Sequence, residues 1–379
     1  LREIIDQISP WYRSGEKFTI ATVTRTWSSS PRPIGATMAV SQSGEIVGSV
    51  SGGCVEGALY EASLEVLASG VPKCVTYGIS DDSAFAVGLT CGGTIELYIQ
   101  VIDKLSFPDL ETVIDAIENA RPIAIATLIS GNKEIGSRMV LMKDAKLGSL
   151  GNAGLDHCVT EDARGLLERG VTRALKIGES GQQRMEDLTV FIESYAPAPR
   201  MIVFGAIDFA SAVARIGKFL GYYVVVCDAR ALFATKKRFP DADEVVVDWP
   251  HRYLSKIEID ERTAICVLTH DPKFDVPLLE IALRTSAGYI GAMGSRRTHN
   301  DRLERLREIG LTETELARLH SPIGLDLGAR TPEETAVSIA AEIISKLWGG
   351  SKQSLSSSAE LPIHRQSLAS ESGEAPKIN

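Results

Sequence analysis

GSVSGGCVEGALYEASLEVLASG, Gly48 to Gly70, returns one hundred residues later in altered form as GSLGNAGLDHCV, beginning at Gly148. Within the first stretch Val55, Leu59, Ala62 and Val66 recur at helical spacing, and Gly70 stands where a helix would stop. The register continues downstream: EVLASGVPKCVTYG aligns with GLLERGVTRALKIG, pairing Gly70 with Gly170 and Gly78 with Gly178. Upstream, FTIATV matches IAIATL, with Ile20 opposite Ile125, and IGATMAV from Ile34 matches IGSRMVL from Ile135. Residues 18–103 and 123–195 are therefore two diverged copies of one strand–turn–helix–strand unit, and together they predict an α/β domain spanning 1–195.

The copies differ where chemistry would reside. Cys54 is replaced by Gly154 and Gly53 by Ala153. LTCGG, with Cys91, Gly92 and Gly93, has no counterpart before DLTVFIESY, and the loop TWSSSPRP, Thr26 to Pro33, shrinks to SGNKE. The frame persists while two cysteines and two small-residue loops vanish, which predicts a site in copy one that copy two supports. Cys54 falls at or just before a first helical turn, where unpaired N–H groups point outward. There the macrodipole favours thiolate. Gly52 and Gly53 permit φ > 0, so their N–H groups could cradle an anion. That combination suits a persulfide carrier, a soft-metal ligand or a contact to a phosphorylated cofactor. Cys91 again precedes two glycines, and Arg25, Arg32 and the serines between them offer further anion contacts. Packing is the ordinary role of a cysteine near glycines, and it is expected for Cys74, Cys158, Cys227 and Cys266, which lie in apparent strands or a helix.

YAPAPR, Tyr195 to Arg200, is a Pro-punctuated linker, after which continuous apolar strands alternate with helical stretches: MIVFGA, GYYVVVCD, DEVVVDW, AICVLTH and YIGAMGS. This pattern predicts a Rossmann-like doubly wound parallel sheet over 200–348. Gly205 opens the first turn, and Asp228 ends the second strand at the distance of a ribose-binding carboxylate. The dinucleotide fingerprint is damaged, because Ile207 stands where a glycine would admit the pyrophosphate and Asp208 would repel it. Binding of NAD(P) is left open. Ligands of such sheets sit outside the carboxyl ends of the strands, which selects His270 and Asp271, and Ser295 with Arg296 and Arg297, each with solvation or helix capping as the plainer role. TPEE from Thr331 reads as a capping box. The tail 349–379 is of low complexity and reads as disordered.

The chain has 379 residues, 44% hydrophobic and 23% charged, with net charge −9, an ordinary globular composition that argues against a nucleic-acid binder. No apolar run is long enough for a bilayer and LREIIDQISP carries no signal-peptide core, so a cytoplasmic protein without membrane contact is expected. The six cysteines form no CxxC pair, zinc spacing or iron–sulfur pattern, which suits a reducing compartment.

SSSPRPIGATMAV, GSVSGGCVE, LTCGG, VLTHDPKFD, YIGAMGSRRTHNDRLERL and PIGLDLGARTPEETAVSIAAEI together resemble the XdhC/CoxI family, accessory proteins for maturing xanthine dehydrogenase and related molybdenum hydroxylases. The resemblance implies a maturation factor that transiently binds the molybdenum cofactor (molybdopterin). It would hold the cofactor while a cysteine desulfurase helps replace an oxo ligand with sulfur, then pass it to the apo-hydroxylase. It assigns Gly52, Gly53, Cys54, Glu56, Cys91, Gly92 and Gly93 to that site. Gly205, Asp228, Ser295 and Arg296 are further cofactor-binding candidates and His270, with Cys54 and Cys91, a catalytic one; the alternative from another class is an NAD(P)-dependent oxidoreductase associated with purine oxidation. A homodimer is expected on general grounds.

Overall fold

The computed structural model describes residues 1–27, 30–78, 93–182, 185, 187–354 and 356. It divides into two units, Leu1–Pro197 and a second beginning at Ala198. In the first unit one half runs α1 (Ile5–Ser14), β1 (Phe18–Trp27), β2 (Thr37–Ser41), β3 (Ile46–Gly48), α2 (Glu56–Ser69), β4 (Lys73–Tyr77) and β5 (Thr94–Ile102). The other half repeats this as α3 (Leu110–Glu118), β6 (Ile123–Ser130), β7 (Arg138–Leu141), β8 (Lys146–Gly148), α4 (Ala153–Arg169), β9 (Arg173–Ile177) and β10 (Leu188–Tyr195). Each half folds into a five-stranded sheet of the same order, β3-β2-β1-β5-β4 and β8-β7-β6-β10-β9. The duplicated unit thus begins one helix earlier than the sequence match, because α1 and α3 share amphipathic character but few letters.

Alternation along the strands assigns each face a different core. Ala21, Val23, Leu97 and Ile99 pack with Leu59, Ala62 and Val66 of α2, and Ala124, Ala126, Leu128 and Val190 pack with Leu155, Val159 and Ala163 of α4. The intervening residues Phe18, Ile20 and Ile102 meet Ile123, Ile125 and Tyr195 in a third core closed by α1 and α3. The two sheets therefore meet through their inner faces, with α2 and α4 outside. The contact is reciprocal. A Cβ on Gly35 would lie 3.2 Å from Thr172 Cγ2, and one on the equivalent Gly136 would lie 3.9 Å from Pro72 Cγ, Pro72 being the equivalent of Thr172. The same pair of positions meets in both directions, as in a two-fold dimer fused into one chain.

The second unit contains β11 (Arg200–Phe204), α5 (Asp208–Phe219), β12 (Tyr223–Asp228), β13 (Glu244–Val247), α6 (Pro250–Leu254), β14 (Ala264–Val267), α7 (Pro272–Ala282), β15 (Tyr289–Ala292), α8 (Arg296–Glu308), α9 (Glu313–Leu316), β16 (Leu319–His320) and α10 (Pro332–Trp348). Its sheet is parallel in the order β13-β12-β11-β14-β15-β16, the doubly wound arrangement whose switch point lies between the first and fourth strands. Val203, Val224 and Val226 pack under α5 and α10 on one face, while Ile202, Phe204 and Ile265 pack under α7 and α8 on the other. Burial on both faces is why these strands read as continuous apolar runs. At the start of α10 the Thr331–Glu334 capping box forms as expected.

Cys227 and Cys266 are buried and Cys158 is half-buried, but Cys74 is exposed. Core packing is thereby corrected for Cys74, which sits on β4, the outermost strand of its sheet. No helix among the described residues is long and apolar enough to cross a membrane.

The hairpin glycines Gly48 and Gly148 adopt φ of +82° and +74°, and a Cβ would stand 2.3 Å from the Thr37 carbonyl oxygen and 2.4 Å from that of Arg138. Gly52 and Gly53 also have positive φ, +76° and +115°, but a Cβ there meets nothing within 4 Å. In urea unfolding, Gly52→Ala is expected to lose about 1–2 kcal/mol from left-handed backbone strain. Gly48→Ala and Gly148→Ala should each lose about 3 kcal/mol or more, because strain is joined by a clash with backbone. Equal losses at all three positions would contradict this account of the hairpins.

Candidate functional site

Between β3 and α2 the chain is gathered around one carboxylate. Glu56 Oε1 accepts from Ser49 Oγ at 2.7 Å, Val50 N at 3.2 Å and Ser51 N at 2.9 Å. Its Oε2 accepts from Ser51 Oγ, from Gly53 N at 2.8 Å and from Val55 N at 3.2 Å. Burial alone would raise the Glu56 pKa, but the Ser51 and Ser49 hydroxyls and the backbone donors prevail and hold it at about 2. Copy two has Asp156 at this position, one methylene shorter, and its Oδ1 takes the equivalent first donor, Leu150 N, at 2.8 Å. There Asn152 caps the helix, accepting from Gly154 N at 2.9 Å and Leu155 N at 3.1 Å, and α4 starts at Ala153. The segment that displays Cys54 in copy one is thus already helix in copy two.

Two expectations change. The Gly53 amide is directed at Glu56 and the Gly52 amide at Ser49 Oγ, 3.0 Å away. The anion nest expected from these N–H groups is therefore filled by the chain's own side chains. Glu56 forms the frame of the loop, and Gly52 and Gly53 supply left-handed turns beneath open space. Cys54 is half-buried beside Val55 and Leu59 of the copy-one core. Gly93 is buried just before β5, while Cys91 and Gly92 lie outside the described residues.

Beside this loop is a cavity of about 380 Å³, lined by Glu3, Ile4, Gln7, Arg32, Val47, Gly48 and Ser49. It brings together two stretches that the sequence separates, SSSPRP through Arg32 and GSVSGGCVE through Gly48 and Ser49. Ser30 Oγ donates to the Arg32 carbonyl at 2.9 Å and braces the loop. The Arg32 guanidinium pairs with the Glu3 carboxylate, and its buried Nε–H has no partner among the described residues. Arg25 lies over the Trp27 ring at 5.5 Å. In copy two the shortened loop instead carries Lys133, which donates to the Glu179 carbonyl at 2.6 Å.

In the second unit the nucleotide positions are occupied internally. Gly205, at φ +108°, lets the β14–α7 loop close on it, since a Cβ would lie 2.8 Å from Thr269 Cγ2. Asp228 accepts from Ala206 N at 2.7 Å and forms a two-point pair with Arg230, at 2.9 and 2.8 Å. Burial would raise its pKa, but the Arg230 and Ala206 donors hold it below its usual value. Asp208, the first residue of α5, faces Arg238 at 3.2 Å. Both Gly205 and Asp228, the candidate cofactor-binding positions of this turn, tie the turn together in this structure. His270 is exposed, three residues beyond the end of β14. Ser295 caps α8 by accepting from Thr298 N, and Arg296 is the exposed first residue of that helix. All three stand at the carboxyl end of the sheet.

Sequence reading passed over the buried polar groups beneath them. Arg302 of α8 donates to Asp275 at 2.9 Å, to the Met293 carbonyl at 2.8 Å and to Ser321 Oγ at 2.9 Å, and both partners of the ion pair are almost fully buried. Thr269 Oγ1 donates to the same Asp275. Glu342 of α10 accepts from Tyr289 Oη at 2.7 Å and from Gly324 N at 2.9 Å. Thr269 and Asp275 fall inside VLTHDPKFD, Arg302 inside RRTHNDRLERL and Glu342 inside AAEI. Asp275 alone offered a signal, a charge three and four residues before the apolar Leu278 and Leu279 of α7.

Comparison with known proteins places these motifs. The model described as XdhC Rossmann domain matches residues 201–343, and that of the XdhC and CoxI family matches twice, at 11–78 and 116–178. The chain is 27% identical over 331 residues to a Bacillus subtilis protein described as a probable xanthine dehydrogenase subunit, covering 87% of this chain and 93% of that one. It is likewise 27% identical over 332 residues to the molybdenum cofactor insertion chaperone PaoD of Escherichia coli, covering 88% and 84%. A crystal structure described as a xanthine dehydrogenase from Bacillus halodurans has a TM-score of 0.66 and 27% identity, covering 90% of this chain and 95% of that one.

The Glu56 loop has a pH signature. Because its folded pKa lies at about 2, below the ordinary 4.5, its contribution is complete above 4.5 and is lost as pH falls toward 2. Glu56→Gln is expected to lower stability at pH 7 by about 2 kcal/mol and to flatten the decline between pH 5 and pH 3, followed by denaturant unfolding at each pH. An unaltered slope in the variant would contradict the assigned geometry.

Proposed function

The chain belongs to the XdhC and CoxI family, and from that membership we propose that it is a molybdenum cofactor chaperone serving a xanthine dehydrogenase-type hydroxylase. One observation carries the reading: in copy one a cavity with a cation on its wall adjoins the loop that carries Cys54, a position held by Gly154 in copy two. The cargo would be an anionic pterin bearing a thiophilic metal. The residues present fit such a cargo, since Arg32 supplies a forked donor for phosphate and Cys54 supplies a soft ligand. The space above Gly52 and Gly53 is free of side chains, and a cavity of about 380 Å³ is within the range that holds small cofactors.

When bound, the cofactor supplies the redox-active metal that the hydroxylase later uses. The chain's own part is to hold and shield it. Arg32 neutralises the phosphate end, and the Glu56 knot keeps the loop from collapsing into helix as it does in copy two. Cys54 would be the soft ligand for the metal end, with Cys91, which lies outside the described residues, as the second thiol that the sequence offers. A cysteine desulfurase is the partner that would exchange oxo for sulfur on the held cofactor, with a homodimer of this chain as the working assembly.

The NAD(P)-dependent alternative is disfavoured by Asp228, whose carboxylate is engaged by Ala206 and Arg230, and by Ile207 at the pyrophosphate position.

Chain purified from a cofactor-producing host is expected to retain molybdenum and a fluorescent pterin, measured by elemental analysis and by fluorescence after oxidation. Cys54→Ala and Cys91→Ala should each lose most of the molybdenum, roughly 10-fold. Full retention by both variants would remove the thiols from the site, and absence of molybdenum from the parent chain would remove the function.

A further inference from the structure

The Arg32–Glu3 pair stands at the wall of the copy-one cavity. Glu3 precedes α1 and is largely exposed, with 68% of its side chain open to solvent against 30% for Arg32. An exposed pair of this kind contributes little to stability. The pairing also leaves the buried Arg32 Nε–H without a partner among the described residues, and an unmet buried donor is costly. Arg32 is therefore held by a weak contact in a pose that leaves one of its donors unused. A phosphate monoester carries more negative charge than a carboxylate and presents three acceptor oxygens, so it can engage both edges of the guanidinium fork.

We propose that Arg32 is the anchor for the terminal phosphate of the cargo and that the Glu3 carboxylate is its internal stand-in, displaced when the phosphate enters. This deepens the chaperone reading and rests on it for the identity of the cargo. The arrangement makes uptake an exchange of one anion for another. An empty cavity then presents a neutralised cation and discriminates against chloride and other weak anions. Release to the hydroxylase is assisted because Glu3 remains beside Arg32 to reclaim it. Copy two differs here: its short loop offers Lys133, a point-charge ammonium that donates to the Glu179 carbonyl, in place of a forked guanidinium paired with a carboxylate.

The test uses the oxidised fluorescent pterin prepared from the cofactor, with its phosphate and after phosphatase treatment, titrated into the full chain, together with inorganic pyrophosphate as competitor. The parent should prefer the phosphorylated pterin by about 10- to 100-fold, the equivalent of one charged hydrogen-bonded contact. Arg32→Gln should abolish that preference, and Arg32→Lys should keep only part of it. Glu3→Gln should tighten the phosphorylated form several-fold and leave the dephosphorylated form unchanged, with thermal melting confirming that each variant is folded. Absence of a phosphate preference in the parent, or an unchanged preference in Arg32→Gln or Glu3→Gln, overturns the proposal. The two readings separate cleanly. Molybdenum retention without Arg32 dependence sinks the anchor and spares the chaperone, whereas Arg32-dependent pyrophosphate binding by a chain that retains no molybdenum sinks the chaperone and spares the anion site.

Discussion

A single carboxylate determines what the first unit can display. Glu56 draws two serine hydroxyls and the amides of Val50, Ser51, Gly53 and Val55 onto its two oxygens, and so converts what would be the first turn of α2 into a rigid loop. Two differences accompany it: Glu56 is one methylene longer than Asp156, and Gly52 stands where Asn152 caps α4. A glutamate at the first helical position reaches back across the loop, while the aspartate engages Leu150 and leaves helix initiation to Asn152. With these differences come the exposure of open space over Gly52 and Gly53, the placement of Cys54 ahead of the helix, and the wall that Ser49 contributes to the cavity.

The duplication explains why such specialisation is tolerated. Two copies meeting through reciprocal inner faces share one core of Phe18, Ile20, Ile123 and Ile125, closed by α1 and α3. Either outer loop can then change without disturbing the shared interior. Copy two keeps the frame, with Gly148 under the same constraint as Gly48, and has a shorter loop with lysine in place of arginine. Copy one keeps the longer loop that carries Arg32 to the cavity.

Much of this was legible in the letters. The hundred-residue register and the shared glycines announced two copies, and the continuous apolar strands after Arg200 announced the doubly wound sheet. The helices α1 and α3 escaped because amphipathic repeats conserve pattern rather than residues. The two-residue β16 was too short to leave a period. At the candidate site the sequence marked Cys54 and Arg32 as residues of two small-residue loops, but the partner of each hydrogen bond was not readable. A glycine-rich loop before a helix looks the same whether its amides await a ligand or are filled by a glutamate three residues on. Asp228 is the same case, since spacing places a carboxylate at the end of the second strand but does not reveal that Arg230 and Ala206 engage it. Buried charges such as Asp275 and Arg302 stay hidden because each is intelligible only with its partner.

If the cofactor is received in copy one, as proposed, it lies beside the loop that Glu56 holds. Anomalous diffraction at the molybdenum edge, from crystals of the cofactor-loaded chain, addresses that placement directly. The account predicts one molybdenum peak adjacent to Cys54, with pterin density reaching toward Arg32. A peak beside the Gly151–Gly154 loop of copy two, or in the crevice at Gly205, would contradict it.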